Sequence, residues 1–429
     1  MSLPVTARSV ALEAIRRVVD EGAYSNRVMP ALLTRSGLDA RDRAFAMELA
    51  FGTLRRLVPL DIAIAAAANR SVDRITTPAR HVLRLGAYQL LDAGVAPHAA
   101  VSATVDLVPG RERGFVNAVL RRLASSPPDA DAGTDADAIS HRTGLGLWAV
   151  RELQGLLGPE AEAAAAALAA KAPLSVRAVG GVAAVPALME AFRDAGFDPA
   201  AGTVDPACIL LAGGDPRDLP GFEQGSCTVQ DQASAFVVRV LDPQPGDRVY
   251  DPCAAPGGKT LHLAELVLPD GRVIGADVSV TRVGLVATQA ARLRLHPRLL
   301  AQDATHPAVS GTFDRVLVDA PCSGVGSARR RPELLWRVRR DRLSGLAARQ
   351  LAIAVAGAEA TRPDGRLVYA VCTFPRAETD AVCDALLRSR PDLEPIATEG
   401  PEGPAERHRL WPHRNECDGM FVAAFRRTT

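Results

Sequence analysis

The stretch DPCAAPGGKT, residues 251–260, joins a short apolar run on its amino side, DRVY at 247–250, to residues 261–268, where apolar side chains recur at helical spacing. The pattern predicts a loop between a strand and a helix. Gly257 and Gly258 let backbone amides approach a ligand closely, and the helix start behind them offers N–H groups without partners of their own. Such a loop suits a polar, nucleotide-like ligand. GGKT is also the end of a Walker A pattern, but that pattern needs a glycine five residues before Gly258, and Cys253 stands there. The spacing of a GxGxxG fingerprint is missing too. A glycine-rich turn with no ligand is the plainer alternative.

The segments that follow repeat the unit. RVIGA at 272–276 reads as a second short strand ending in Asp277, nineteen residues past Gly258, about where a doubly wound sheet places the acid that accepts from ribose hydroxyls. LLAQ at 299–302 leads to Asp303, and FDRVLV at 313–318 leads to Asp319 in DAPCSG. Each acid alone is as well explained as a turn or N-cap residue. Together they close three apolar runs, where open α/β sheets bind ligands. Helical spacing at 346–360 precedes a strand, RLVYAV at 366–371, and residues 422–426 read as a closing antiparallel strand. A sheet that is parallel at its centre is predicted.

Seven cysteines without CxxC spacing argue against a disulfide framework and a zinc ribbon, so no metal is called for and a reducing compartment is expected. Cys208, Cys227, Cys383 and Cys417 read as small buried hydrophobes. Cys322 and Cys372 differ, because each stands at a strand end before a small polar residue. Those two are candidates for nucleophilic work.

DPCAAPGGKT, VLVDAPCSGVG at 316–326 and VYAVCTFPRAE at 368–378 together resemble the signature motifs of the Sun (Fmu, Nol/Nop) family of RNA cytosine-C5 methyltransferases. GSCTVQDQASA at 225–235 and DGMFVAAF at 418–425 resemble further segments of that family, and the N-terminal third, with GFVNAVLRR from Gly114, resembles the NusB-like RNA-binding domain of its bacterial small-subunit ribosomal RNA branch. The resemblance implies a multidomain chain: an all-α NusB-like helical bundle, then an α/β class I (Rossmann-like) S-adenosylmethionine-dependent methyltransferase fold. It implies methyl transfer from S-adenosylmethionine to C5 of a cytosine in small-subunit (16S) ribosomal RNA, naked or partly assembled, by a cytoplasmic monomer. By the same resemblance Cys372 is the thiolate that attacks C6, Cys322 assists release, Asp319 sits near cytosine N3, and Lys259 holds the thiolate ionised or contacts the flipped base. Cys253, Ala254, Ala255, Pro256, Gly257, Gly258 and Lys259 are implied to hold the cofactor's methionine end, Asp277 its ribose and Asp303 its adenine, with Asp319 as a further contact. The chain departs from the family at Thr373, where Ser is usual, and at Thr379 and Asp380 after the retained Glu378. Two other readings stay open: an RNA-binding antitermination-like factor with a vestigial methyltransferase domain, and a cytosine-C5 enzyme acting on another RNA or on DNA, where the nucleophile lies in a Pro-Cys pair as in Pro321-Cys322.

A chain of 429 residues exceeds one ordinary core, and 48% hydrophobic content is ample to bury two or three. The formal net charge of +1 predicts no strong overall field, yet residues 1–124 carry 17 Arg against 11 Asp and Glu, a net of +6. Only Lys171 and Lys259 are lysines, so the basic surface is almost wholly guanidinium, which suits phosphate by its fork geometry and stacks on bases. No apolar run approaches the roughly 18 residues of a membrane span, and residues 5–19 read as an amphipathic helix rather than an export signal, so no membrane association is expected.

Domain boundaries follow composition. Residues 6–123 are helical throughout, with breaks at Gly22, Gly37, Pro59, Pro78, Pro97 and Pro109, and are expected to pack as one RNA-binding bundle, 1–124. SSPPDADAGTDADA at 125–138 marks a flexible acidic linker, 125–142. Residues 143–220 read as a small α/β subdomain, with strands at 174–178 and 208–211 around a helix near 185–195 and with Arg177 facing RNA; the methyltransferase domain fills 221–429. RRRPELLWRVRR at 329–340 follows the DAPCSG loop so closely that it is expected to grip RNA phosphates.

Overall fold

Thr6 opens the first helix, Ala7–Asp20, with a capping box: its side chain accepts from Ser9 N at 3.1 Å, and Ser9 Oγ accepts the Thr6 N–H at 2.9 Å. Asp39 caps Ala40–Arg55 through Asp42 N at 2.8 Å, and Gly37 ends Ser25–Ser36 in the left-handed conformation at φ 67°. With Leu57–Ala68, Thr77–Leu91, Pro97–Val105 and Gly110–Ser125 these helices bury one core, which includes Ile15, Met29, Leu49, Leu54, Leu83 and Leu120. The computed structural model describes residues 5–128, 133–309 and 311–429. Contacts divide the chain into a helical unit, Met1–Ala170 with Ala328–Val338, and a sheet-containing unit, Lys171–Ser327 with Arg339–Thr429.

Two sequence expectations change in the helical unit. Residues 129–132 of the expected linker lie outside the described residues, but Asp135 caps a helix, Ala136–Thr143, through Ala138 N at 2.8 Å, and Ala138, Ile139 and Thr143 are buried. One buried helical face disappears when composition is averaged over an acidic, alanine-rich run. Residues 144–170 continue as Leu147–Leu157 and Ala161–Ala169 and belong with the helical unit, not with an α/β subdomain.

The second change concerns the arginine-rich run after DAPCSG, of which residues 328–338 join the helical unit, while Arg339 and Arg340 stay exposed. Glu333, fully buried, accepts from Ser25 N at 3.1 Å and Ser25 Oγ at 2.7 Å. Trp336 Nε1 donates to Leu54 O at 3.0 Å, and Leu334 and Leu335 are buried. Arg337 donates to Val18 O at 2.5 Å in the last turn of the first helix, and to Gly22 O at 3.1 Å and Ala23 O at 3.0 Å just past its end. Arg329 is buried as well.

The other unit holds two sheets. Strands β1 (Leu174–Ala178), β2 (Ala200–Ala201), β3 (Cys208–Leu211) and β4 (Cys227–Val229) form a small antiparallel sheet in the order β2-β3-β1-β4, covered by the helix Val185–Asp194. Arg177 does not face outward: it is fully buried and donates to Gln230 Oε1 and Glu265 Oε2, each at 2.8 Å.

The large sheet contains β5 (Arg248–Asp251), β6 (Arg272–Asp277), β7 (Arg298–Ala301), β8 (Phe313–Asp319), β9 (Thr361–Val371), β10 (Leu393–Pro395), β11 (Arg407–Leu410) and β12 (Met420–Arg427). Its order is β10-β12-β9-β8-β5-β6-β7, with β11 also beside β12. Strands β7, β6, β5, β8 and β9 run parallel, while β12 is antiparallel to β9, β10 and β11. Alternation puts Val249, Val273, Leu317, Val368 and Val422 on one face and Tyr250, Val316, Val318, Tyr369 and Phe421 on the other. Gln232–Leu241, Gly258–Leu266 and Val280–Leu293 pack on the first face, and Leu343–Ala360 and Asp380–Ser389 on the second. The chain steps outward from β5 to β7 and then returns to β8 on the other side of β5, so the crevice of this α/β sheet opens between the carboxyl ends of β5 and β8.

Candidate active site

Asp251 closes β5 with its carboxyl buried; Thr260 Oγ1 donates to Oδ2 at 2.6 Å and Cys253 N to Oδ1 at 3.1 Å. Burial pushes this carboxyl up to about 7, against the pull of the Thr260 bond. The two bonds fold residues 252–259 over the strand end. Gly257 holds φ 119°, a conformation that favours glycine, and a Cβ there would stand 3.3 Å from Val286 Cγ1. Gly258 begins the helix Gly258–Leu266, and nothing lies within 4 Å of where its Cβ would be.

The loop is laced to the next strand ends. Ala254 N donates to Ala276 O at 2.7 Å, and Arg282 reaches both Ala255 O at 2.8 Å and the buried Asp277 carboxylate at 3.2 Å. Gln302 N donates to Asp277 O at 3.1 Å, which sets Asp303 beside Asp277. Asp303 is exposed, and the backbone N–H and hydroxyl of Thr305 hold its carboxyl below the usual range. The predicted cofactor residues therefore line the carboxyl ends of β5, β6 and β7.

The predicted reacting groups gather on the other side of the crevice. Lys259 Nζ donates to Asp319 Oδ2 at 2.8 Å. Burial draws the Lys259 ammonium's pKa down, but Asp319 outweighs it and Cys372 adds to the effect, so the ammonium stands above its ordinary value. Strands β8 and β9 pair as far as Asp319 and Ala370, and the turns beyond bring Cys322 Sγ to 3.4 Å from Cys372 Sγ. The Cys322 thiol is pushed well above its ordinary range, chiefly by its hydrogen bond with Cys372 and then by burial. Gly326 N donates to Cys372 O at 3.1 Å and Gly419 N to Gly326 O at 2.8 Å, an approach so close that a Cβ on Gly326 would fall 2.2 Å from Gly419 O.

Sequence reasoning marked Thr373 and Glu378 for a polar network behind the nucleophile and missed the rest of it. Glu378 meets Ser323, Thr373 and Gln350, with Tyr369 OH on its own carbonyl at 2.7 Å. A signal existed for Gln350, a polar residue on the buried face of Leu343–Ala360 between Ala347 and Ala354. Among the described residues no cluster of His, Cys, Asp and Glu could hold a metal ion.

Residues 238–426 match the 16S rRNA methyltransferase RsmB/F family, and residues 5–125 match the NusB family. A ribosomal RNA small subunit methyltransferase B from Citrobacter koseri is 32% identical over 427 residues, covering 97% of this chain and 97% of the relative. The chain belongs to the RsmB/F family. A Mycobacterium tuberculosis relative whose name goes no further than methyltransferase shares 39% identity with this RsmB/F chain, over 99% of it and 97% of its own length. The solved structure of PH0851 has the same fold, with a TM-score of 0.84 at 23% identity over 100% of both chains.

Proposed function

We propose that this RsmB/F methyltransferase transfers a methyl group from S-adenosylmethionine to C5 of a cytosine in small-subunit ribosomal RNA, as a cytoplasmic monomer, through a bond between Cys372 Sγ and C6. The supporting observation is the pair of thiols 3.4 Å apart at the ends of β8 and β9, beside the Lys259–Asp319 ion pair. Cytosine C5 is too poor a nucleophile to take a methyl group directly. Adding a thiolate at C6 pushes electron density onto C5 and removes that obstacle.

The residues present fit the cofactor. The open space over Gly258 leaves room beside a helix start for a carboxylate and residues 253–259 flank it; Asp277 at the end of β6 is assigned to the ribose hydroxyls and Asp303 to adenine. When bound, the cofactor supplies a methyl group on a positive sulfur. Lys259, whose charge Asp319 sustains, favours the thiolate of Cys372. Asp319 is assigned to the N3 side of the cytosine, with the Lys259 ammonium beside it to offset the charge that accumulates during attack.

Cys322 is assigned the later step. Its bond with Cys372, and then burial, hold the Cys322 thiol above its ordinary range while both thiols are free. Once Cys372 is bonded to carbon the first of these causes is lost, and Cys322 passes its proton to solvent. Cys322 thiolate then takes the C5 proton. The C5–H pair forms the C5=C6 double bond, and the C6–S pair returns to Cys372 as thiolate. The helical unit, with its net +6 over residues 1–124 and its NusB match, is assigned to RNA binding.

Denaturing gels test the assignment. Cys372→Ala with 16S ribosomal RNA and cofactor should give neither methylation nor adduct, and Cys322→Ala should trap protein on RNA. The reverse pattern would move attack to the Pro-Cys pair. Bisulfite sequencing of ribosomal RNA from a deletion strain should show one cytosine losing its mark, and an unchanged pattern overturns the ribosomal substrate.

A further inference from the structure

Glu378 is fully buried behind the two thiols, and among the described residues it pairs with no cation. Neutral donors hold it instead. Its Oε1 accepts from Ser323 N at 2.8 Å and Gln350 Nε2 at 2.9 Å, and its Oε2 accepts from Ser323 Oγ at 2.5 Å. With the Ser323 proton directed to Glu378, Thr373 Oγ1 donates to Ser323 Oγ at 2.7 Å. Ser323 follows Cys322 and Thr373 follows Cys372. One carboxyl group therefore grips both thiol-bearing turns.

The sheet cannot do this by itself. Ladder pairing between β8 and β9 ends at Asp319 and Ala370, with a last strand-end bond from Ala320 N to Ala370 O at 3.0 Å, so the Cys322 turn lies beyond the ladder. Glu378 comes from a separate short turn, Arg376–Glu378, itself anchored by Tyr369 OH to Glu378 O at 2.7 Å. Gln350 bridges the two layers, donating to Pro321 O at 3.0 Å as well as to Glu378. A buried carboxylate without a cation is costly. Here its lone pairs collect donors from three segments into one rigid block, as a supporting shell must.

We infer that Glu378 is a positioning residue that locks the turns after β8 and β9 together, keeping the Cys322 sulfur against the Cys372 sulfur from attack to release. The inference rests on the proposed thiol roles only for its kinetic consequence; its geometric content stands apart from them. Position, not charge, is what Glu378 supplies. A glutamine fits the same place: its oxygen takes the two N–H donors, its amide nitrogen faces Ser323 Oγ, and the two hydroxyls reverse direction.

The test needs a readout that does not depend on RNA. Diamide takes two electrons and two protons from a pair of thiols, becoming a hydrazine and leaving a disulfide, and the linked Cys322–Cys372 peptide can be followed by mass spectrometry. Glu378→Ala should slow that linkage at least about tenfold, whereas Glu378→Gln should stay within about threefold of wild type. Ser323→Ala, which removes the hydroxyl relay and leaves Thr373 only its 3.5 Å contact with Glu378 Oε2 while keeping both thiols, should also slow it, and it serves if Glu378→Ala does not fold. With RNA and cofactor, the slowed variants should lose kcat with KM unchanged and accumulate covalent adduct. Wild-type linkage rates in Ser323→Ala, Glu378→Gln as slow as Glu378→Ala, or no linkage in wild type would each overturn the inference. Slowed linkage in a protein that never forms an RNA adduct would uphold the positioning and sink the proposed function instead.

Discussion

Replacing Asp251 with Asn should stabilise the sheet-containing unit, and more so as the pH rises. The Asp251 carboxyl is buried, and its pKa stands at about 7 against an ordinary 3.8. The folded protein therefore holds this proton more tightly than the unfolded chain does. Between the two values stability falls as pH rises, and the full penalty is present above pH 7. Each tenfold in proton affinity is worth about 1.36 kcal/mol, so the rise from 3.8 to about 7 amounts to about 4 kcal/mol, an upper bound. Asn fits the local bonds: Oδ1 keeps the Cys253 N–H, and Nδ2 donates to Thr260 Oγ1, whose own proton turns to Ala254 O, already at 3.1 Å. The assay is urea unfolding from pH 5 to pH 8, read by pulse alkylation of Cys208, Cys227, Cys383 and Cys417, all fully buried in that unit. His81 and His262 titrate between wild-type and variant alike and cancel in the comparison, because burial lowers both in each protein. The variant's advantage should grow from pH 5 to pH 8 towards that limit. A difference that does not change with pH, or a variant less stable at pH 8, would refute the buried-charge argument.

Three further outcomes are expected. In Cys372→Ala the pH midpoint for alkylating Cys322 should fall, since the main cause of its high pKa is removed, and an unmoved midpoint would show that burial alone sets it. Gly326→Ala should cost about 1–3 kcal/mol and slow methylation, because its Cβ would meet two backbone oxygens, Gly419 O at 2.2 Å and Cys372 O at 2.9 Å; a wild-type melting curve would count against that packing. Glu333→Ala leaves the buried Ser25 N–H and hydroxyl without their acceptor, so the helical unit should lose about 2–3 kcal/mol in urea titrations, and no loss would mean that water replaces the carboxylate.

What the sequence made legible is what local pattern controls. The strands that end in Asp277, Asp319 and Cys372 alternate or run apolar over enough residues to be read, and the loop at 251–260 carries its own glycines. The family's motifs then name Lys259, Asp319, Cys322 and Cys372, and the sheet brings them together because β8 and β9 are neighbours in space though far apart in sequence. The errors share a cause: partners distant in sequence. Arg177 looks like a surface base until Glu265 and Gln230 are seen across from it. Arg337 looks like a phosphate ligand until it meets the carbonyls of Val18, Gly22 and Ala23. Gln350 and Ser323 carry no spacing signal at all, since only the fold directs both at Glu378.

The return of Ala328–Val338 to the helical unit bears on how the protein is made. Trp336 packs on that unit's core, and Glu333 and Trp336 pair with Ser25 and Leu54, residues synthesised some three hundred positions earlier. At the usual pace of translation the helices ending at Ser125 wait roughly 10–40 s for this segment. During that wait the Ser25 and Leu54 polar groups have water or a chaperone as partner, and the groove for Trp336 stands open. A nascent chain that stops anywhere from residue 126 to residue 327 carries every helix of the NusB match but lacks the segment that closes its core. Completion of the amino-terminal unit is thus tied to synthesis of residues 126–338, the DAPCSG loop that carries Cys322 among them.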